Sequence, residues 1–278
     1  MTPSTLLLVR HGESLGNAAA AAAHAAGAEV IDVPARDADV ALSPLGAAQA
    51  QALGRWLGTL PAQERPDAVW ASPYVRAHQT AQLALGAAGL DLRVRLDERL
   101  RDRELGVLDT LTNRGVEARL PSEAARRRWL GKFYYRPPGG ESWADVALRL
   151  RSLLGDLLRL DVGPTVMVVC HDAPIMVMRY VLEELTEAEV LEIGRVRSVR
   201  NTSVTELARE PDGSWALRRF DRADHLEEQG VPATVHGGSP EGTAVPTAPT
   251  VPGGPDGRGP GTAPVGRDGD VRAGETRG

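Results

Sequence analysis

The sequence predicts an α/β domain with a mostly parallel central sheet and helices on both faces. Three observations carry this. Two uninterrupted apolar runs, residues 5–9 (TLLLV) and 165–170 (TVMVVC), read as strands buried on both faces. The pairs Ser43-Pro44 and Ser72-Pro73 are helix-start signals, a capping hydroxyl followed by proline at the first helical position. Strand-like and helix-like patterns alternate along the chain, as in a parallel sheet built from crossover units.

The elements follow in order. Residues 5–9 are the first strand, and the alanine-rich stretch 14–26 is a helix that Gly27 is suited to stop. A helix runs from Ser43-Pro44 to about residue 57. Residues 67–71 (DAVWA) are a short strand, and Ser72-Pro73 opens a helix to about residue 87. Residues 92–96 (LRVRL) alternate as a strand. Helices follow over about 113–130 and 142–160. The second places Trp143, Val146, Leu150, Leu153, Leu154, Leu157 and Leu158 on one face at helical spacing. After the strand 165–170, Pro174 starts a helix to about residue 185. Residues 203–208 and 215–220, joined by Pro211-Asp212-Gly213, read as a terminal hairpin.

The totals narrow the function classes. A net charge of -5 over 278 residues argues against a general nucleic-acid binder. The single cysteine, Cys170, forms no internal disulfide and reads as a small buried hydrophobe. The opening MTPSTLLLVR has too short an apolar run for a signal peptide, and no stretch offers the roughly twenty apolar residues of a membrane helix. A soluble, cytoplasmic protein without nucleic-acid or membrane partners is expected, and the oligomeric state stays open. Composition breaks near Gln229. The 49 residues from 230 to 278 hold 13 glycines and 8 prolines and no leucine, isoleucine, methionine or aromatic residue. They have too little apolar surface to offset ordering entropy. A catalytic domain over 1–229 and a disordered tail over 230–278 are therefore expected.

In open α/β sheets the site lies beyond the carboxyl ends of the strands. There the sequence puts Arg10, His11 and Gly12 after the first strand, Arg76 after the DAVWA strand, and His171 and Asp172 after TVMVVC. Two guanidiniums clamp a phosphate dianion through paired hydrogen bonds. A neutral imidazole can attack phosphorus, and a second, protonated one can stabilise charge on the equatorial oxygens. Phosphoryl transfer is mostly positioning and electrostatics, so this set needs no metal or other cofactor. The leaving oxygen needs an acid, and Asp102, Glu104 and Asp172 are the candidates.

The stretches "VRHGES", Asn17, "ASPYVRAHQTA", "LRDRELGVLD", "PGGESW" and "VVCHDAP" resemble, in order, the histidine phosphatase superfamily, in its phosphoglycerate-mutase-like branch. The resemblance spans about residues 5–220. It implies that His11 is the nucleophile that becomes phosphohistidine. It also implies that Arg10, Arg76 and His171 form the phosphate pocket, that Asn17 is an auxiliary phosphate contact, and that Gly12 fits a crowded turn. The family's acid is usually a glutamate at the position held here by Asp102, one methylene shorter. Asp102 leads, with Asp172 and then Glu104 as rivals. Glu141 of the GES element keeps a weaker claim near the substrate.

The expected activity is hydrolysis of a small-molecule phosphomonoester, with a phosphoglycerate-mutase-type isomerase as the alternative. The departure from RHGES-x-Trp-Asn at Leu15-Gly16 and the alanine-rich helix after Asn17 favour the phosphatase. A metal site on His11, His171 and Asp102 is disfavoured by the adjacent arginines, and a non-catalytic phospholigand module by the complete His–Arg–Arg–His set. His24, His78, His225 and His236 are expected to face solvent or lie in the tail. The segment 126–138 (RRRWLGKFYYRPP) is either a solvated helix end or a lid whose Phe133, Tyr134 and Tyr135 meet an organic moiety.

Overall fold

The computed structural model describes residues 1–236. Its strands are β1 (Thr5–Arg10), β2 (Ala68–Ala71), β3 (Val94–Leu96), β4 (Thr165–Cys170), β5 (Val204–Arg209) and β6 (Trp215–Arg222). Helices α1 (Leu15–Ala25) and α2 (Pro44–Thr59) lie between β1 and β2, and α3 (Val75–Ala88) follows β2. Between β3 and β4 come α4 (Asn113–Arg119), α5 (Pro121–Tyr134) and α6 (Trp143–Leu157). Helices α7 (Asp172–Leu182) and α8 (Glu187–Val196) follow β4, and α9 (Asp224–Glu227) follows β6.

The strands form one sheet in the order β3-β2-β4-β1-β5-β6. The pairs β3/β2, β2/β4 and β4/β1 are parallel, and β5 and β6 add an antiparallel margin. The expected mostly parallel sheet is therefore present. Side chains alternate along each strand, and both faces are covered. Leu6, Leu8, Trp70, Val166 and Val168 pack with α6 and α7 on one face. Leu7, Val9, Val69, Ala71, Met167 and Val169 pack with α2 and α3 on the other. Two buried faces leave no polar position, which is why β1 and β4 read as continuous apolar runs. The α6 stripe is as expected through Leu157: Trp143, Val146, Leu150, Leu153, Leu154 and Leu157 are buried, while Leu158, at the C-cap, is half-buried. Each such burial contributes roughly 2 kcal/mol.

Four expectations shift. Ser72 does not cap α3, whose N-cap is Tyr74 with no side-chain cap bond. The span 113–130 breaks at Leu120-Pro121, because proline disfavours helical backbone at the residue before it. Helix α7 starts at Asp172, before Pro174, so the proline sits in the first turn where its missing N–H costs nothing. Helices α8 and α9 form from segments whose periodicity is too short to announce them. The tail expected over 230–278 lies largely outside the described residues. Its first part, residues 230–236, is described and hydrogen-bonds to the domain.

Candidate active site

Sheet register sets the geometry. β1 and β4 pair from Thr5↔Thr165 to Arg10↔Cys170, so residues 11 and 171 leave the sheet side by side. The His11 N–H donates to the Cys170 carbonyl at 2.9 Å, and the Ser72 N–H to the Val169 carbonyl at 2.9 Å. Three adjacent strands thus end level. The His11 and His171 rings meet edge to face with centroids 5.0 Å apart, and both are buried.

His11 Nδ1 lies 2.7 Å from the Gly12 carbonyl oxygen. A carbonyl only accepts, so Nδ1 carries the proton and Nε2 the lone pair. Burial, then the charges of Arg76, His171 and Arg10, hold this imidazole well below its ordinary pKa. It is a neutral nitrogen base with its lone pair toward Arg76 Nε, 3.3 Å away. The backbone beyond is fixed on every side. Gly12 N–H donates to Thr80 Oγ1 at 3.0 Å, and Glu13 N–H to Gln49 Oε1 at 2.9 Å. A Cβ on Gly12 would stand 2.5 Å from the Gly46 carbonyl oxygen, and one on Gly46 would stand 1.9 Å from the Glu13 oxygen. The crowding expected at Gly12 comes from this crossing with the start of α2.

His171 Nε2 is 2.9 Å from Ser72 Oγ, and its Nδ1 is 3.4 Å from Asp102 Oδ2. Burial first, then Arg76, Arg10 and Arg149, lower its pKa. Arg76, in the first turn of α3, stacks over the Tyr74 ring at 5.0 Å. Its guanidinium pairs with Asp37 at 3.0 Å and reaches Asp102 at 3.4 Å. Arg10 donates through Nη1 to the Val199 carbonyl and through Nη2 to the His236 carbonyl, while its buried Nε has no hydrogen-bond partner among the described residues. An orphan N–H on a buried cation beside the His11 imidazole is a hydrogen-bond donor that an anion would satisfy.

The carboxylates separate clearly. Asp102 touches both His171 and Arg76. Glu104 lines the cavity and accepts from Tyr74 Oη at 2.7 Å. Asp172 opens α7 with an unpartnered Oδ1, and burial raises its pKa against the pull of Arg10. Asn17 also lines the cavity, and its Oδ1 accepts from the Ser14 N–H in a capping box. Glu141 is not brought to the cavity. It pairs with Arg101 at 2.6 Å and Arg149 at 2.9 Å and accepts from the Glu104 N–H, bracing the loop that carries Asp102.

The cavity measures about 240 Å3. Beyond the cationic end its walls are Ile31, Val33, Ala35 and Leu111, with Asp37, Asp109 and His24 among the polar groups. His24 is exposed, as expected, and also lines the cavity. His225 is buried against Trp56, and His236 contacts Glu13 at 3.1 Å. Of the two readings of residues 126–138, the aromatic lid is not formed: Phe133 and Tyr135 are buried, Tyr134 bonds Glu187, and from that segment Lys132 alone lines the cavity, over the Trp143 ring. Sequence reasoning missed Ser72 as a histidine partner and Asn201, whose Nδ2 donates to the His11 carbonyl at 2.8 Å. It also missed Thr80, whose hydroxyl accepts from the Gly12 N–H and donates to the Arg76 carbonyl; its place one helical turn after Arg76 is the signal that could have found it. Among the described residues no group of three or more His, Cys, Asp or Glu is disposed to hold a metal ion, and no helix is long and apolar enough to cross a membrane.

Comparison with known proteins places this arrangement. A 2,3-bisphosphoglycerate-dependent phosphoglycerate mutase of Methylobacterium radiotolerans is 32% identical over 192 residues, 66% of this chain and 82% of the mutase. A mycobacterial glucosyl-3-phosphoglycerate phosphatase, solved with VO3, is 28% identical with a TM-score of 0.63, covering 78% of this chain and 98% of that one. The α-ribazole phosphatase of Shigella flexneri shares the fold at 19% identity, with a TM-score of 0.63 over 79% of this chain and 96% of its own. Residues 6–222 match the histidine phosphatase superfamily, branch 1, and the chain belongs to that family.

Proposed function

We propose that the chain hydrolyses a small-molecule phosphomonoester through a phosphohistidine on His11, without a metal. The observation that carries this is the His11 ring itself: neutral, with its proton committed to the Gly12 carbonyl and its lone pair at the cationic end of the cavity. Arg10 Nε and Arg76 would hold the phosphoryl oxygens, joined by Asn17. Nε2 attacks phosphorus, an N–P bond forms, and the ester P–O bond breaks. Asp102 protonates the departing alkoxide. Asp102, now a carboxylate, then takes a proton from water as its oxygen attacks phosphorus. The N–P bond breaks and inorganic phosphate leaves. His171, once a phosphate dianion sits beside it, gains a proton that stabilises the equatorial oxygens.

The mutase reading draws support from the similarity to phosphoglycerate mutases. The cavity favours hydrolysis. A mutase must hold a second anion, yet three carboxylates, Asp37, Glu104 and Asp109, line the cavity against two further cations, Arg103 and Lys132. Arg101 and Arg149 are paired with Glu141, and Arg103 donates to the Glu141 and Tyr135 carbonyls. The test is turnover of an aryl phosphate and a metabolite panel, with 2- and 3-phosphoglycerate interconversion measured in parallel. Release that resists EDTA, is blocked by vanadate, and passes through an acid-labile phosphoenzyme supports the reading. Full activity in His11→Ala, or interconversion faster than phosphate release, overturns it.

A further inference from the structure

The chain past α9 runs back behind the site. Residues 231–236 lie beyond the family match, which ends at residue 222. Gln49 Nε2 donates to the Pro232 carbonyl at 2.9 Å and to Thr234 Oγ1 at 3.0 Å. Thr234 Oγ1 donates in turn to Asn201 Oδ1 at 3.0 Å, and the Asn201 N–H donates to the Thr234 carbonyl at 3.1 Å. His236 Nε2 meets Glu13 Oε2 at 3.1 Å, and its carbonyl accepts from Arg10 Nη2 at 2.7 Å.

The anchors are the residues that also hold the nucleophile. Gln49 and Asn201 are fully buried, and both bind the backbone of the His11–Glu13 turn, at the Glu13 N–H and the His11 carbonyl. Neither Thr234 nor His236 lines the cavity, so this segment acts from behind. Its effect on Arg10 is geometric. The Val199 and His236 carbonyls accept from both ends of the guanidinium fork, and the buried Nε has no hydrogen-bond partner among the described residues. A fork held at two points loses little rotamer entropy when an anion binds.

We propose that residues 231–236 are a strap that positions Arg10, so that the working phosphate site extends to His236. This rests on the reading of Arg10 as a phosphate ligand. In the full chain, His236→Ala removes the ring that ties the strap to Glu13, and Thr234→Val removes its hydroxyl link to Gln49 and Asn201. Orthovanadate binding is measured by calorimetry, and turnover of an aryl phosphate alongside it. The double variant should bind vanadate about tenfold more weakly, with KM rising more than kcat falls. Thr234→Ser should restore the hydroxyl link to Gln49 and Asn201. In an Arg10→Lys background the strap substitutions should add nothing, because they act through Arg10. Unchanged vanadate affinity in the double variant, or full additivity with Arg10→Lys, overturns the strap. If Thr234→Val fails to fold, the single His236→Ala variant decides on the same readouts. If the natural chain binds no vanadate, the phosphate-site reading falls first and the strap with it. If it binds and the variants bind equally, the strap alone falls.

Discussion

The two ends of the cavity are built from different materials. The inner end stands on the level tips of β1, β2 and β4, is buried, and gathers two arginines and two histidines. The outer end is made by loops around residues 31–37 and 104–113, is more exposed, and carries carboxylates on apolar walls. Sheet register cannot shift by one residue without turning every buried side chain to the wrong face. The inner end is therefore rigid by construction, whereas the outer end can change without disturbing the core. On the proposed reading, chemistry belongs to the first and choice of leaving group to the second.

Substitutions at the inner end should have the largest effects. His11→Ala should lower kcat by at least roughly a thousandfold and abolish the phosphoenzyme in a rapid-quench experiment. Arg76→Ala should cost about a hundredfold in kcat/KM, and Arg76→Lys should recover little, since a point charge cannot replace the fork. Asp102→Asn should slow alkyl phosphates about a hundredfold and nitrophenyl phosphate far less, because a good leaving group needs no proton. A flat response across leaving groups would move the acid role to Asp172 or Glu104.

Burial of histidines also has a cost in acid. Burial, with the charge of Arg222 in support, holds His225 down at about 4. The unfolded chain protonates near 6.5, so below that pH it binds the proton that the fold refuses. Stability should be unaffected above pH 7 and fall by about 3 kcal/mol as pH drops from 6.5 to 4. The Nε2 atom is buried without a hydrogen-bond partner among the described residues, so His225→Phe, which keeps the stacking on Trp56, should move acid unfolding to lower pH. Acid unfolding at the same pH in both proteins would contradict this assignment.

The same division explains what was legible in the sequence. Arg10, His11, Arg76 and His171 could be read because each follows a strand or a helix start whose pattern is local. Asp102 could be placed by its neighbours, although only the fold shows it touching His171 and Arg76. Ser72 was misread for a physical reason: a serine before a proline signals a helix cap, and here the hydroxyl serves His171 instead. Asp37, Asp109 and His24 carry no periodicity, and their meeting depends on loop paths that no short pattern encodes. His236 was hidden by composition, because glycine and proline around it predict a free tail while a few hydrogen bonds to Gln49, Asn201 and Arg10 tie it down.

The smallest expected effects lie at the outer end, and they test whether it chooses the leaving group. Asp37 pairs with Arg76, so Asp37→Asn should tighten binding of every phosphate, inorganic phosphate included. Asp109 forms no such pair with Arg76, and Asp109→Asn should act only on the charge of the leaving group. For a substrate with a second anion, KM should fall about threefold, while a neutral polyol phosphate is unchanged, since exposed charges are well screened. Partial burial and then the charge of Asp37 raise the Asp109 carboxyl. Below that raised pKa the carboxyl is neutral, so the natural protein's discrimination against a second anion should fade as pH falls, and Asp109→Asn should remove this pH dependence. Equal changes in KM for neutral and anionic substrates would show that the outer carboxylates do not read the leaving group, and that the inner end governs both binding and selection.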